Sequence, residues 1–557
     1  MDGSIQIADD RLQDSNPLAG KALLEVLSQK YQAQGENLMQ DLSGSFRLAL
    51  WDAKEQRLIV AVDPFATRPL YYWASDTELF FAPRMSWLSA IANAPKEIDP
   101  SVLFFYLNHS FIPAPRTIYR DVRRLEPGSY LSWQRGAVSI RQYWDIAYDE
   151  NSSLTEKTAS ELIRCEVERS VQFYLKAHDN RRSLGAFLSG GTDSSTLVGL
   201  MTRLTGDRIK TFSVGFSEER YNEIDYARIA ATRFNAEAYE YFVSADEALA
   251  AVPMLASQFD EPFGNSSAIP TYFCLRMAKE RGVDVMIAGD GGDELFAGNE
   301  RYLAEKYFLP FDILPESLQL LASRIVTHLP GFYPIGKLTR YIERAREPNP
   351  KRFFHYQMFL AQHADKYFSA DFKSSLDLEF ALRIPQHHYY KVRAAAALNR
   401  LLYMDLKMCI ADNDLFKVNR MAEASGIKVC YPFLDRNLAK VTGEIPVALK
   451  LKGNKKRYIF KKAFKELLPG DILRKKKQGF GLPIARWLRS HSGFRELARS
   501  LLLDTMPLQR GYFNRDALEN LLLQHDKEKS DFYGTFIWNL MMLELWHQSH
   551  HDPGGRT

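Results

Sequence analysis

The run Leu184-Gly185-Ala186-Phe187-Leu188 breaks into Ser189-Gly190-Gly191-Thr192-Asp193-Ser194-Ser195 and resumes with apolar positions at Leu197, Leu200 and Leu204. This pattern reads as a buried strand, a glycine turn and the start of a helix. Unpaired backbone N–H groups and the helix dipole converge at such a turn and make it an anion site. Two glycines let phosphate oxygens approach the backbone closely. Asp193 is placed to hold Mg²⁺ beside those phosphates. There is no Gly-Lys-Ser/Thr, so the turn is not a loop of the Walker type.

From about residue 154, apolar strands near 184–188, 209–216 and 283–288 alternate with helical segments, which argues for a parallel α/β sheet. Beyond residue 300 the chain reads as mostly helical. Before the sheet, residues 17–33 read as a helix, and strand-like runs at 45–51, 58–62, 70–73 and 79–82 suggest an antiparallel sheet. Residues 97–146, with Pro113, Pro115 and Pro127, read as a connector. A length of 557 residues allows two to four domains. A net charge of +4 gives no case for a nucleic-acid partner. Cys165, Cys274, Cys409 and Cys430 are far apart and form no CxxC, so neither a disulfide framework nor a zinc site is expected. No signal-peptide or membrane-spanning run is present, and a cytoplasmic enzyme is expected. The terminal His547-Gln-Ser-His550-His551 reads as a frayed tail.

A second strand, Val283 to Ala288, runs into Gly289-Asp290-Gly291-Gly292-Asp293-Glu294-Leu295-Phe296. Ligands in open parallel sheets sit at the carboxyl ends of strands. The two glycine turns would then face one another, with Asp193 and Asp293 sharing Mg²⁺ brought in by ATP. The alternative is a structural turn with acids capping a helix.

The Ser-Gly-Gly-x-Asp-Ser loop resembles the pyrophosphate loop (PP-loop) of ligases that split ATP into AMP and pyrophosphate. Most of the chain resembles asparagine synthetase and its relatives. Leu42 to Asp52 and Asp63-Pro-Phe-Ala-Thr-Arg-Pro-Leu-Tyr-Tyr72 are similar to part of the family's N-terminal glutaminase domain. Phe111 to Ile118, Leu125 to Tyr130 and Tyr143-Trp-Asp145 resemble its link to the synthetase domain. Asp260-Glu-Pro-Phe263, Ser267-Ala-Ile-Pro270, Lys417-Val-Asn-Arg-Met421, Tyr431-Pro-Phe-Leu-Asp435 and Lys477-Gln-Gly-Phe480 with Pro483 resemble synthetase signatures.

The resemblance implies a PP-loop (adenine nucleotide alpha hydrolase-like) α/β domain over 151–557 with a helical C-terminal region. A smaller, degenerate N-terminal nucleophile-type α+β domain with its linker would occupy 1–150. It implies that Leu188, Val214, Ala288 and Gly289 line the nucleotide site. Ser189, Gly190, Gly191, Asp193, Ser194 and Ser195 would cradle pyrophosphate, with Mg²⁺ on Asp193 and Asp293. The expected reaction is adenylation of a small-molecule or peptide carboxylate, followed by attack of ammonia or an amine. Oligomeric state is not legible.

Three departures bear on that reading. The family's glutaminase begins with a cysteine nucleophile, whereas the first cysteine here is Cys165. No glutaminase activity is therefore expected of this sequence, and nitrogen would come from free ammonia, a partner glutaminase or an internal amine; a longer N-terminus is the alternative. Asn419, Lys428 and Cys430 replace a family aspartate, glutamate and arginine, which makes free aspartate a doubtful substrate if these positions face the pocket. Arg457 stands where the family has a catalytic lysine, with Lys456 beside it, and an arginine holds charge but does not shuttle protons. Asp290, in contrast, sits where relatives often have an acid, which makes it a general-base candidate, with helix capping as the alternative. Other readings are a β-lactam- or macrolactam-type cyclase, a non-catalytic ATP-binding subunit and, weakly, a tRNA-modifying PP-loop enzyme.

Overall fold

The computed structural model describes residues 2–7, 20–178, 183–218, 222–327, 333–394, 396–476, 481–527 and 531–552. The N-terminal unit carries β1 (Asp2–Ile7), β2 (Leu42–Asp52), β3 (Arg57–Val62), β4 (Tyr71–Ala74), β5 (Leu79–Ala82), β6 (Arg123–Arg124), β7 (Ser129–Gln134) and β8 (Ala137–Gln142). Antiparallel pairing gives a five-stranded sheet in the order β1-β2-β3-β7-β8 and a three-stranded one, β5-β4-β6. Alternation along the strands sends Phe46, Leu48, Ile59, Ala61 and Tyr130 to one face, where Leu23 and Leu27 of the helix Gly20–Gln34 cover them.

The segment expected to be a connector is more than that. It holds the helix Pro100–His109, capped by the Asp99 carboxylate, and strands β6, β7 and β8. β7 and β8 complete the larger sheet through a tight turn in which Arg135 and Gly136 both have positive φ, 51° and 82°. The prolines mark turns between these short elements, and those turns masked the strands.

The second unit contains β9 (Leu184–Phe187), β10 (Lys210–Phe216), β11 (Glu237–Val243), β12 (Val285–Ile287) and β13 (Lys428–Cys430). All pair in parallel, in the order β11-β10-β9-β12-β13. Strand order reverses between β9 and β12. That is where the carboxyl ends of adjacent strands part and leave a crevice. Both glycine turns follow these two strands. β13 was hidden in a stretch read as helical: three residues are too short to show a period.

The C-terminal histidines are not a frayed tail. Residues His547–His551 extend the helix Phe532–Trp546, with His547 buried and Asp552 paired to Arg510 at 2.6 Å. Trp546 anchors this end by donating Nε1–H to the Asp260 carbonyl at 2.9 Å. Among the described residues, no helix is long and apolar enough to cross a membrane.

Buried ion pairs seal the two units together. Arg84 pairs with Asp260 at 3.0 Å and Arg124 with Asp412 at 2.9 Å. Asp412 lies in the π-helical segment Leu406–Asp414, which links the helices Ala397–Asp405 and Leu415–Ser425.

Candidate active site

β9 delivers the chain to Gly190, whose φ is +66° and where a Cβ would overlap the Tyr226 backbone. The helix Thr192–Thr205 begins immediately afterwards, with Ser195 N–H bonded to the Gly191 carbonyl at 3.1 Å. Ser213 Oγ on β10 donates to the Leu188 carbonyl at 2.6 Å and fixes the strand end. On the other side, Ala288 N–H donates to the Cys430 carbonyl at 2.9 Å, so β13 holds the second glycine turn.

Between the turns lies a cavity of about 420 Å³. Leu188, Ser189, Asp193, Ser194, Val214, Gly289, Asp290 and Asp293 line it. A smaller cavity of about 90 Å³ adjoins it, sharing Ser189, Asp193, Ser194 and Glu223. Its walls add Gly191, Thr192, Lys456, Arg457, Lys461, Lys475 and Lys476. A half-apolar chamber thus opens into a basic one across the Ser-Gly-Gly loop, the arrangement a nucleoside and its phosphates require.

Arg457 stands at the junction. Its backbone is left-handed (φ 53°, ψ 33°) just before the short helix Tyr458–Ala463, a conformation costing a β-carbon-bearing residue roughly 1–3 kcal/mol. From there the guanidinium grips Asp193 with both terminal nitrogens, one at 2.6 Å. It also donates to Asp293 and, at 2.7 Å, to Thr192 Oγ1. Burial opposes the arginine's charge, but Asp193 and Asp293 outweigh it and raise its pKa. Lys456 pairs instead with Glu300.

Asp193 and Asp293 suit a divalent cation. They reach a common point from two different strand ends, and the guanidinium drawn between them shows that this point collects positive charge. Among the described residues no group of three or more His, Cys, Asp or Glu side chains would hold a metal. A cation on this pair would therefore complete its shell with phosphate oxygens and water, as Mg²⁺ commonly does.

At the far end of the larger cavity lie Asp290, Asp414 and Lys417, with Asn265, Ser267 and Thr271. Lys417 pairs with Asp414 at 2.8 Å. Burial pushes the Asp290 carboxyl up to about 6, against the pull of Lys417. No arginine lines this cavity among the described residues.

The structure does not gather every expected residue. Gly190 shapes its loop without facing either cavity, and Ser195 and Ala288 are buried outside both linings. The three substituted positions also lie elsewhere, so the expectation that they face the pocket is corrected. Asn419 Nδ2 donates to the Thr67 carbonyl of the N-terminal unit at 2.6 Å and Asn419 Oδ1 accepts from Tyr431 Oη at 2.8 Å. Lys428 is exposed, and Cys430 packs with its sulfur 3.7 Å from His178 Nε2. Residues 477–480 of the Lys-Gln-Gly-Phe signature lie outside the described residues. Glu223, Lys475 and Asp414 were missed. Lys475 sits in a visible basic run and bonds the Ser189 carbonyl at 3.0 Å, but Glu223, its partner at 3.0 Å, belongs to no motif.

Comparison with known proteins agrees with this architecture. The asparagine synthase family model matches residues 164–548, more than half of the chain. A glutamine amidotransferase domain model matches residues 8–144. Asparagine synthetase [glutamine-hydrolyzing] 1 of Bacillus subtilis is 27% identical over 525 residues, spanning 94% of this chain and 80% of the relative. A putative asparagine synthetase [glutamine-hydrolyzing] of Mycobacterium tuberculosis is 27% identical over 538 residues, 94% of this chain and 79% of that one. A more distant match, amidase chyE of Penicillium rubens, is 26% identical over 321 residues, 53% and 46% of the two chains.

Proposed function

The chain belongs to the asparagine synthase family, and on that premise we propose that it is an ATP-dependent, AMP-forming carbon–nitrogen ligase. One observation carries the reading: Asp193 and Asp293, from neighbouring strand ends, converge with Arg457 where a nucleoside-sized cavity meets a lysine-lined one.

In this reading Leu188, Val214 and Gly289 contact the nucleoside, and the Ser189–Ser194 loop with Lys461 and Lys475 holds the phosphates. A substrate carboxylate oxygen attacks the α-phosphorus, and the P–O bond to pyrophosphate breaks. Magnesium on Asp193 and Asp293 would supply charge neutralisation at the leaving pyrophosphate. Arg457 adds a fixed cation at the same place and takes no proton. Nitrogen then attacks the acyl carbon and AMP leaves. Asp290, near neutrality in its pKa, accepts the proton that the nitrogen sheds. The N-terminal unit, residues 1–150, is proposed as a glutaminase-like domain, and ammonia or an amine as the nucleophile.

The charges in the cavity favour a second reading for the substrate. Asp290, Glu294 and Asp414 face it, and its lysine is already paired. A small acid with a second carboxylate meets repulsion there, whereas a substrate bearing its own amine does not. That supports a cyclase-type reaction using an internal amine. AMP and pyrophosphate release from Mg-ATP, measured with aspartate, with ω-amino acids and with peptide carboxylates, each with ammonium or glutamine, tests both readings. AMP formation with any carboxylate supports the ligase, and turnover of an amine-bearing acid without ammonium supports the second reading. ATP binding with no AMP under any pairing would leave a non-catalytic nucleotide-binding subunit.

A further inference from the structure

The Arg457 guanidinium does more than sit near two acids. Its two terminal nitrogens carry four N–H groups, and four acceptors meet them: Asp193 Oδ1, Asp193 Oδ2, Asp293 Oδ1 and Thr192 Oγ1. Both oxygens of Asp193 are thereby engaged. The seat is built for this fork. A Cβ at Gly298 would overlap both Asp293 Oδ1 and Arg457 Nε, and a Cβ at Gly292 would lie 2.7 Å from the Asp193 carboxyl carbon. The Arg457 ring-facing side rests over Phe460, 5.8 Å from its centroid, and the residue is only 5% exposed.

We propose that Arg457 and a divalent cation are alternative occupants of the Asp193–Asp293 pair, so that the metal enters only together with nucleotide phosphates. This deepens the ligase reading and rests on it for the identity of the nucleotide. The chemistry is a competition between cations. Free Mg²⁺ sheds its water reluctantly and needs carboxylate oxygens at about 2.0–2.1 Å, but here they are held by a bidentate, fully bonded guanidinium. Phosphates change the balance. The small cavity lined by Lys456, Lys461, Lys475 and Lys476, which Asp193 and Arg457 also line, attracts them to the guanidinium. They then offer the guanidinium an equivalent set of acceptors. Once Arg457 turns to the phosphates, the carboxylates of Asp193 and Asp293 give up its hydrogen bonds, and the metal carried by the phosphates takes its place. Arg457 thus makes metal and nucleotide binding strongly coupled and keeps a bare metal ion out.

Mn²⁺ binding by the full chain without nucleotide, read from the loss of the free-ion spin resonance signal, tests this directly. The wild type is expected to bind Mn²⁺ about 10- to 100-fold more weakly than Arg457→Gln, a range typical of coupled sites. Adding a non-hydrolysable ATP analogue should erase that difference. The melting temperature of Arg457→Gln should fall without metal and recover with Mg²⁺, while that of the wild type ignores Mg²⁺ alone. Arg457→Lys, which keeps the charge but loses the fork, should lie between and guards against a misfolded glutamine variant. Equal Mn²⁺ affinity in wild type and Arg457→Gln without nucleotide overturns the proposal, as does a folded Arg457→Gln or Arg457→Lys protein that gains no Mn²⁺ binding. Failure of the analogue to bind any variant would instead defeat the ligase reading, and the nucleotide-free metal titration would still decide the competition.

Discussion

Arg420 and Arg457 are both buried, both strongly basic and both gripped by carboxylates, yet they belong to different kinds of cluster. Arg420 bonds Asp260 at 3.0 Å and Glu423 at 2.8 Å, where the two units of the chain meet. Asp260 is saturated: Arg84 and the Met85 N–H, at 2.9 Å, also donate to it. Nearby, burial pushes the Glu261 carboxyl up to about 8, which lessens the negative charge that Arg84, Arg124 and Arg420 offset. Asp260, Glu261 and Arg420 line neither of the two cavities described above. At the other site one arginine bridges Asp193 and Asp293, and two cavities, the smaller lined by Lys456, Lys461, Lys475 and Lys476, open onto it. Buried charge at the junction of two units holds a structure together; buried charge that lines a cavity is placed to meet a ligand.

Single substitutions can break this contrast. Asp193→Ala should lower AMP formation by about 10²–10³-fold or more and cost less thermal stability than a change at Asp260, because Asp293 and Thr192 still hold Arg457, measured by coupled pyrophosphate assay and calorimetry. Asp260→Ala should do the reverse: it strands Arg84 and Arg420 and should cost about 3–5 kcal/mol in denaturant unfolding. If Asp260→Ala instead lost activity at full stability, the sealed cluster would have to be read as functional.

Asp290→Asn sharpens the comparison within the site. Its carboxyl accepts protons only when ionised, and its pKa is pushed up to about 6. Wild-type turnover should therefore fall as pH drops through about 6, and the variant should lose roughly 10²-fold and that pH limb with it. A variant retaining the limb would assign it to another group. The smallest effect is expected at Cys165, exposed on the helix Glu156–Ala177 and lining neither cavity. Cys165→Ser should shift stability by less than about 0.5 kcal/mol and leave AMP formation unchanged.

The site was legible where local sequence creates it. Strand, glycine turn and helix start fall within twelve residues at 184–195, and the second turn is equally compact, so Asp193 and Asp293 were named from the chain alone. Arg457 was reached through resemblance, because nothing local announces that it will cross to the sheet. Glu223 and Asp414 were invisible: each enters the cavity from a loop or a helix end fixed by long-range packing. The misreadings have the same root. Asn419 and Cys430 looked like pocket residues from motif position, but tertiary placement turned Asn419 to Thr67 and Cys430 to His178. In the N-terminal half, β7 and β8 escaped notice because a hairpin partner, rather than alternation, makes a six-residue strand out of an exposed run such as Ala137–Gln142.

The place of β13 carries a consequence for biosynthesis. β12 ends at Ile287, and the strand that covers its edge does not begin until Lys428. At ordinary elongation rates the ribosome needs roughly 10–30 s to supply that stretch of about 140 residues. Throughout that interval the nascent chain displays an apolar parallel edge, the kind of surface that recruits wrong partners. Yield in the cell should therefore depend on chaperone supply and on codon speed between 288 and 430 more than the stability of the finished protein would suggest.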